Sequence, residues 1–214
     1  MPSIVEIEKV TKNFGYIRAL KGVDLKIDEG EKVSLLGPNG AGKSTLLRII
    51  ATQMTPSSGN VRVLNLDASK NREEIKRRIG VVGHRSFLYD ELTVMENLKF
   101  YGSFLGCSEN DFENSLKVTS IERWGEVKAG HLSYGLRKRG DIARAILGEP
   151  KLLLLDEFFS GLDTDTSNQL IKYLDNLEGQ TIIVSSHSPE LVHRFCERSV
   201  NLRGGLVERD EVII

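Results

Sequence analysis

Residues 37–45 read GPNGAGKST, and their types and spacing point to phosphate chemistry. Gly37, Gly40 and Gly42 let the backbone turn tightly enough for several N–H groups to converge on one cluster of phosphate oxygens. Asn39 and Ala41 complete that turn, and Lys43, Ser44 and Thr45 open a helix whose N-terminus adds partial positive charge. Lys43 would reach the β- and γ-phosphates of a nucleotide, and the Ser44 hydroxyl would ligate Mg²⁺. The G-x-x-x-x-G-K-[ST] spacing carries this meaning only between a strand and a helix. Both flanks are present: Val33-Ser34-Leu35-Leu36 before the loop and Leu46-Leu47-Arg48-Ile49-Ile50 after it.

A second group of candidates follows an unbroken apolar run. Asp156 and Glu157 come directly after Leu152-Leu153-Leu154-Leu155. In open α/β sheets ligands sit beyond the carboxyl ends of the strands. Asp156 is then positioned to hold Mg²⁺ opposite Ser44, and Glu157 to orient and polarise a water for in-line attack on a γ-phosphate. His187 follows a further apolar run, Thr181-Ile182-Ile183-Val184, and an imidazole there could contact the same phosphate or serve only the local turn.

These residues need elements to position them. Imperfect alternation over 3–10, a loop over 12–16 and alternation over 19–27 predict an antiparallel β layer ahead of the phosphate loop. Strands are expected over 60–66 and 79–82, and a short charged helix over 71–78. Met95, Leu98, Tyr101 and Leu105 share a helical stripe, and Ser108 with Asp111 three residues on reads as a helix start. Residues 120–131 are irregular and polar, so 90–135 reads as a mostly helical insertion. Ser133 would cap a helix to about Leu147 with Leu136, Gly140, Ala143 and Leu147 on one face, Gly140 marking either a close helix contact or a weak point. An amphipathic helix over 164–177, a helix from Ser188-Pro189 to about Cys196, and a hairpin turning at Gly204-Gly205 complete the chain.

Composition is that of an ordinary globular chain: 214 residues, 40% hydrophobic and 28% charged. A net charge of −1 gives no electrostatic basis for nucleic acid as a partner. Cys107 and Cys196 have neither metal-ligand nor disulfide-framework spacing and read as reduced thiols. No signal-peptide core is evident, and no apolar run reaches the roughly 20 residues that span a bilayer. Work at a membrane would go through a partner chain.

With those motifs in view, the chain resembles the ATP-binding subunits of ABC transporters over nearly its whole length. Residues 37–45 match the family's phosphate loop. Leu132-Ser133-Tyr134-Gly135-Leu136 matches its LSGGQ signature, and 152–157 its second nucleotide motif with the catalytic glutamate. Ser160-Gly161-Leu162-Asp163 matches the loop that follows, His187 the switch histidine, and Tyr16 the aromatic that stacks on adenine. The resemblance implies one α/β domain over 1–214. It would hold a P-loop NTPase core with a mainly parallel sheet (1–83 and 136–214), an N-terminal antiparallel β layer, and a helical subdomain over about 84–135. It implies ATP and Mg²⁺ as cofactors, and a head-to-tail dimer in which Ser133 and Gly135 of one subunit cap the ATP held by the other. It also implies membrane permease subunits contacting the 84–92 region, and a peripheral position on the cytoplasmic face. Phe87, Leu88 and Tyr89 would form the groove for the permease, or pack beneath the insertion.

Two departures from the family pattern stand out. Tyr134 and Leu136 replace Gly and Gln of the signature. His84, in Gly83-His84-Arg85, stands where the family usually has a Gln that touches Mg²⁺ and the attacking water. Imidazole accepts a hydrogen bond from water but is a poor Mg²⁺ ligand beside oxygens. Gly83-His84 followed by Leu88-Tyr89-x-Glu91-Leu92-Thr93-x-x-Glu96-Asn97-Leu98 is similar to the CcmA-type ATPases of the haem exporter in cytochrome c biogenesis. Exporters of drugs, lipids or small molecules, and non-transport ABC ATPases, are the alternatives.

Overall fold

In the computed structural model, which describes residues 2–177 and 179–213, two sheets face each other across a shared core. The first sheet is antiparallel. β1 (Ser3–Phe14) pairs with β2 (Ile17–Asp28) and with β4 (Ser58–Val63), and β4 pairs with β5 (Leu66–Asp67). Both of the first two strands are longer than the alternation predicts. The loop expected over 12–16 shrinks to a Gly15-Tyr16 turn, because β1 and β2 stay paired, through several register shifts, to Phe14 and Ile17. The strand expected over 60–66 breaks at Leu64 and Asn65, both at positive φ, so the chain reverses into β5.

The second sheet has the order β10-β9-β3-β8-β7-β6. β3 (Lys32–Leu36), β6 (Ile79–Val82), β7 (Leu152–Leu155), β8 (Thr181–Ser185) and β9 (Arg198–Arg203) are parallel, and β10 (Leu206–Val212) returns antiparallel beside β9. The four leucines of β7 show why such a strand has no polar break. Leu152 and Leu154 join the core between the sheets, while Leu153 and Leu155 join the core on the opposite face. Successive side chains point to opposite faces, so a sheet covered on both sides needs apolar residues throughout.

α1 (Lys43–Ile50) packs Leu46, Leu47, Ile49 and Ile50 into the core between the sheets. α6 (Thr164–Asp175) covers the other face with Leu170, Ile171 and Leu174, together with Phe158 and Phe159. The short α2 (Arg72–Lys76) buries only Ile75. α7 (Pro189–Val192) is a single turn rather than a helix to Cys196. Val192, Phe195 and Cys196 all point into the core, but the chain has to extend again by Arg198 to form β9.

A third apolar cluster is helical. α3 (Val94–Ser103) contributes Val94 and Leu98, α4 (Glu109–Val118) contributes Phe112 and Leu116, and Ile121 joins them. Met95, Tyr101 and Leu105 pack at its margin. The start of α4 follows the sequence signal: the Asp111 carboxylate accepts the Ser108 N–H at 2.6 Å. The polar stretch 120–131 holds two single-turn 3₁₀ helices, Glu122–Trp124 and Ala129–His131. α5 (Tyr134–Ala145) bridges two clusters, with Ala143 in the helical one and Ile142 and Ala145 in the sheet one. Gly140 is a close-approach position, since a Cβ there would lie 3.1 Å from Leu88 Cδ1.

Candidate active site

Parallel strands deliver their C-terminal ends to one edge, and four adjacent strands carry the candidate residues there. The order β3-β8-β7-β6 brings together the phosphate loop, His187, Asp156 with Glu157, and His84.

The phosphate loop has no room for side chains at two of its glycines. A Cβ on Gly37, at φ +139, would sit 2.1 Å from the Leu202 carbonyl oxygen. A Cβ on Gly42, the residue before α1 at φ +110, would meet Leu20 Cδ2 at 2.7 Å. The loop is braced by the Gly205 N–H donating to the Ala41 carbonyl at 3.1 Å, which ties it to the β9–β10 turn. Tyr16 is fully exposed at the turn leading into β2, the strand whose Leu20 packs under Gly42.

Lys43 is 4% exposed, a burial that an ammonium tolerates only with partners. Its Nζ donates to the Gly37 carbonyl at 2.7 Å and lies 3.6 Å from Glu157 Oε1. The Ser44 Oγ donates to Asp156 Oδ1 at 2.8 Å. Ser185, at the end of β8, donates its hydroxyl to the same oxygen at 2.7 Å and accepts the Glu157 N–H at 2.8 Å. Glu157 adopts φ +47, a left-handed conformation uncommon for a non-glycine residue, just where the chain leaves β7. Its Oε1 is 2.8 Å from His187 Nε2, a contact that requires the imidazole to carry its proton on Nε2. Glu157 thus sits between the phosphate-loop lysine and the histidine, with its side chain 14% exposed.

His84 lines a cleft of about 600 Å³ with Ser44, Gly83, Arg85, Asp156 and Glu157. It therefore reaches the same cavity as the Mg²⁺ candidates. The paired oxygens of Ser44 and Asp156 fit Mg²⁺, which takes one or two protein oxygens and fills its remaining positions with phosphate and water. Among the described residues no cluster of three His, Cys, Asp or Glu side chains could hold a metal without the nucleotide.

The signature residues form a separate surface. Ser133 caps α5 by accepting the Leu136 N–H, and Asp163 caps α6 by accepting Thr166 N–H and Oγ1–H at 2.8 Å each. Those two bonds hold the Asp163 carboxyl below the usual carboxylate range. A Cβ on Gly135 would lie 3.5 Å from Thr166, and the Tyr134 ring rests on Gly161, so both helix N-termini and the 160–163 loop sit side by side. Among the described residues no hydrogen bond joins Ser133 or Gly135 to the phosphate loop. Ser133 and Tyr134 are exposed and Gly135 is half-buried, so the N-terminus of α5 lies at the surface, where a helix end can take an anion from another molecule.

Two residues escape the sequence reading. Ser185 fixes both Asp156 and the Glu157 backbone, and a serine ending an otherwise apolar strand is its only signal. Lys138 is 5% exposed on the inner side of α5, within the run Arg137-Lys138-Arg139, which gives no signal of its burial.

Residues 20–160 match the family described as ABC transporter. The ABC transporter ATP-binding protein NatA of Bacillus subtilis (strain 168) is 37% identical over 199 residues, covering 89% of this chain and 80% of NatA. The Nod factor export ATP-binding protein I of Rhizobium meliloti (strain 1021) is 34% identical over 207 residues, covering 94% of this chain. The chain spans 62% of that protein's length. Among solved structures, the dimeric post-hydrolysis state of the ATP-binding cassette MJ0796 bound to ADP and Pi superposes with a TM-score of 0.91 at 33% identity, over 98% of this chain and 99% of that one.

The chain therefore belongs to the ABC transporter family. It is an ATP-binding cassette: an ATPase that takes ATP with Mg²⁺. Among the described residues no helix is long and apolar enough to cross a membrane.

Proposed function

We propose that this cassette is the motor of an exporter and that it closes on two ATP molecules as a head-to-tail homodimer. The observation that carries the reading is the split site. Lys43, Ser44, Asp156, Glu157 and His187 converge on one edge of the sheet, while Ser133 and Gly135 lie at the N-terminus of α5 with no hydrogen bond to that edge among the described residues, and would form a second, anion-binding surface. One complete site needs both surfaces, hence two copies. Mg²⁺, when bound at Ser44 and Asp156, would neutralise charge developing on the phosphates. Glu157 would orient and accept a proton from the attacking water, and His187 would hold that carboxylate in place and contact the γ-phosphate. The Ser133 hydroxyl and the Gly135 N–H, aided by the α5 dipole, would bind the γ-phosphate of the partner's ATP. Asp163 would shape the same interface, Tyr16 would stack on adenine, and His84 would accept a hydrogen bond from the attacking water.

The helical segment over about 84–135 would act as the arm that moves against the core, within one domain spanning 1–214. Phe87 and Tyr89 are 38% and 51% exposed, whereas Leu88 is buried. The two aromatic residues therefore suit the permease groove, and Leu88 supports the arm from beneath. Such contacts would keep the protein at the cytoplasmic face of the membrane.

For cargo, relatives named for Nod factor export and linearmycin resistance favour a small organic molecule. A second reading, haem export for cytochrome c biogenesis, rests on Gly83-His84 and the 88–98 pattern. Co-purification of the membrane partner separates the two by that partner's sequence.

The split site is tested in a Glu157→Gln background, where ATP should hold the dimer. Adding Gly135→Asp puts negative charge where the partner's γ-phosphate would lie. We expect the ATP-dependent dimer to disappear while each protomer still binds ATP. A dimer that persists would overturn the head-to-tail arrangement.

A further inference from the structure

α5 grips the segment that carries His84 through four side chains. Arg144 bonds the Val81 carbonyl and, at 2.8 Å, the Asp141 carboxylate. Asp141, fully buried, accepts the Phe87 N–H at 3.3 Å, and Arg137 donates to the Leu88 carbonyl at 3.3 Å. These three hold the strand end and the aromatic side of the loop. Only the fourth, Lys138, bonds beside His84: its Nζ donates to the Gly83 carbonyl at 3.2 Å.

The burial of Lys138 makes that bond consequential. No carboxylate lies within ion-pair distance of its Nζ among the described residues. The Phe158 ring, one residue past Glu157, is 5.3 Å away. Desolvation pulls the lysine below its ordinary value, while Asp141, Asp156 and Glu157 act to keep it charged. Keeping an ammonium dry costs desolvation, and of its two close contacts, one carbonyl and one ring, only the carbonyl fixes a backbone position. Its contribution is therefore to place the Gly83 backbone.

We propose that Lys138 is a positioning residue for hydrolysis, holding the Gly83-His84 backbone from the same helix whose N-terminus caps the partner's ATP. This rests on the ATPase reading above and deepens it. Residues 133 and 138 lie on one rigid helix, less than two turns apart. Engagement of the α5 N-terminus by the partner's γ-phosphate is thereby tied to the location of His84 in the protomer's own cleft. The two sites of the dimer then report on each other through α5, with Lys138 as its bond beside His84.

The test is a double-mutant cycle on the full chain with Mg-ATP, reading phosphate release and binding of a fluorescent ATP analogue. Lys138→Met keeps the length and apolar stem of the side chain, so the melting temperature should hold; Lys138→Gln serves as a second replacement. We expect kcat to fall at least tenfold, with analogue affinity and KM changed less than twofold. In a His84→Ala background, Lys138→Met should lower kcat less than threefold, because the group it positions is gone. An unchanged kcat, a loss confined to KM, or an equal tenfold loss in both backgrounds would each overturn the proposal. Absence of phosphate release by the unmodified chain would instead overturn the ATPase reading on which it stands.

Discussion

Replacing Glu157 by Gln separates binding from chemistry in this site. The substitution keeps the side chain's size and removes one negative charge. Gln accepts the φ +47 backbone as readily as Glu does, so the exit from β7 is unchanged. What changes first is the ability to take a proton from water. Losing a positioned general base lowers turnover by about 10²–10⁴-fold, or about 3–5 kcal/mol of barrier. The second change concerns Lys43. At 3.6 Å, and with an effective dielectric of about 20, a unit charge pair attracts by about 4–5 kcal/mol. That attraction competes with phosphate for the lysine, so its removal leaves ATP affinity the same or tighter. The expected outcome is an ATP-loaded dimer with negligible turnover. Phosphate release under Mg-ATP measures the first part, and light scattering on a sizing column measures the second. Turnover within threefold of the unmodified protein would refute the role given to Glu157. Slow turnover without any ATP-dependent dimer would refute the link between hydrolysis and separation.

Other consequences follow from single contacts. Lys43→Ala should abolish ATP binding, as measured by equilibrium dialysis, because the loop loses its only buried cation among the described residues; micromolar affinity retained in that variant would contradict the assignment. Ser44→Ala removes one of the two candidate Mg²⁺ oxygens but leaves Asp156 held by Ser185, so the Mg²⁺ concentration for half-maximal ATPase should rise about tenfold, about 1.4 kcal/mol, with little change in melting temperature. Gly140→Val should destabilise the chain by about 1–3 kcal/mol through overpacking against Leu88, Val94 and Ile121, and calorimetry should record a melting temperature lower by roughly 2–12 °C. Burial pushes the Cys196 thiol far up and the Cys107 thiol up less. A thiol reagent at neutral pH should therefore modify Cys107 first, with the second of the two cysteines reacting only on unfolding.

Local chemistry is what the sequence could carry by itself. Gly37, Gly42, Lys43 and Ser44 announce a phosphate loop because a fixed spacing of glycines and one lysine has few other uses. Asp156 and Glu157 are legible because an unbroken apolar run marks a strand covered on both faces, and the residues after it fall at the sheet edge. The caps at Ser108 and Ser133 are legible because each is a bond between neighbours three residues apart, whereas Asp163 gives only a loop match in the sequence and proves to cap α6.

Tertiary structure decided the rest, because the deciding contacts join residues far apart in the chain. Nothing local says that β8 lies between β3 and β7, and that order is what sets Ser185 beside Asp156 and His187 beside Glu157. The stop of α7 at Val192 comes from the need to enter β9, not from its own sequence. Nothing in the run Arg137-Lys138-Arg139 distinguishes Lys138 until α5 is packed against the 81–90 segment. Its burial against Gly83, 55 residues away, exists only in the folded chain. The phosphate loop was fully written in the sequence; the carboxylate, histidine and lysine around it acquire their roles from the sheet order and from the helix that crosses it.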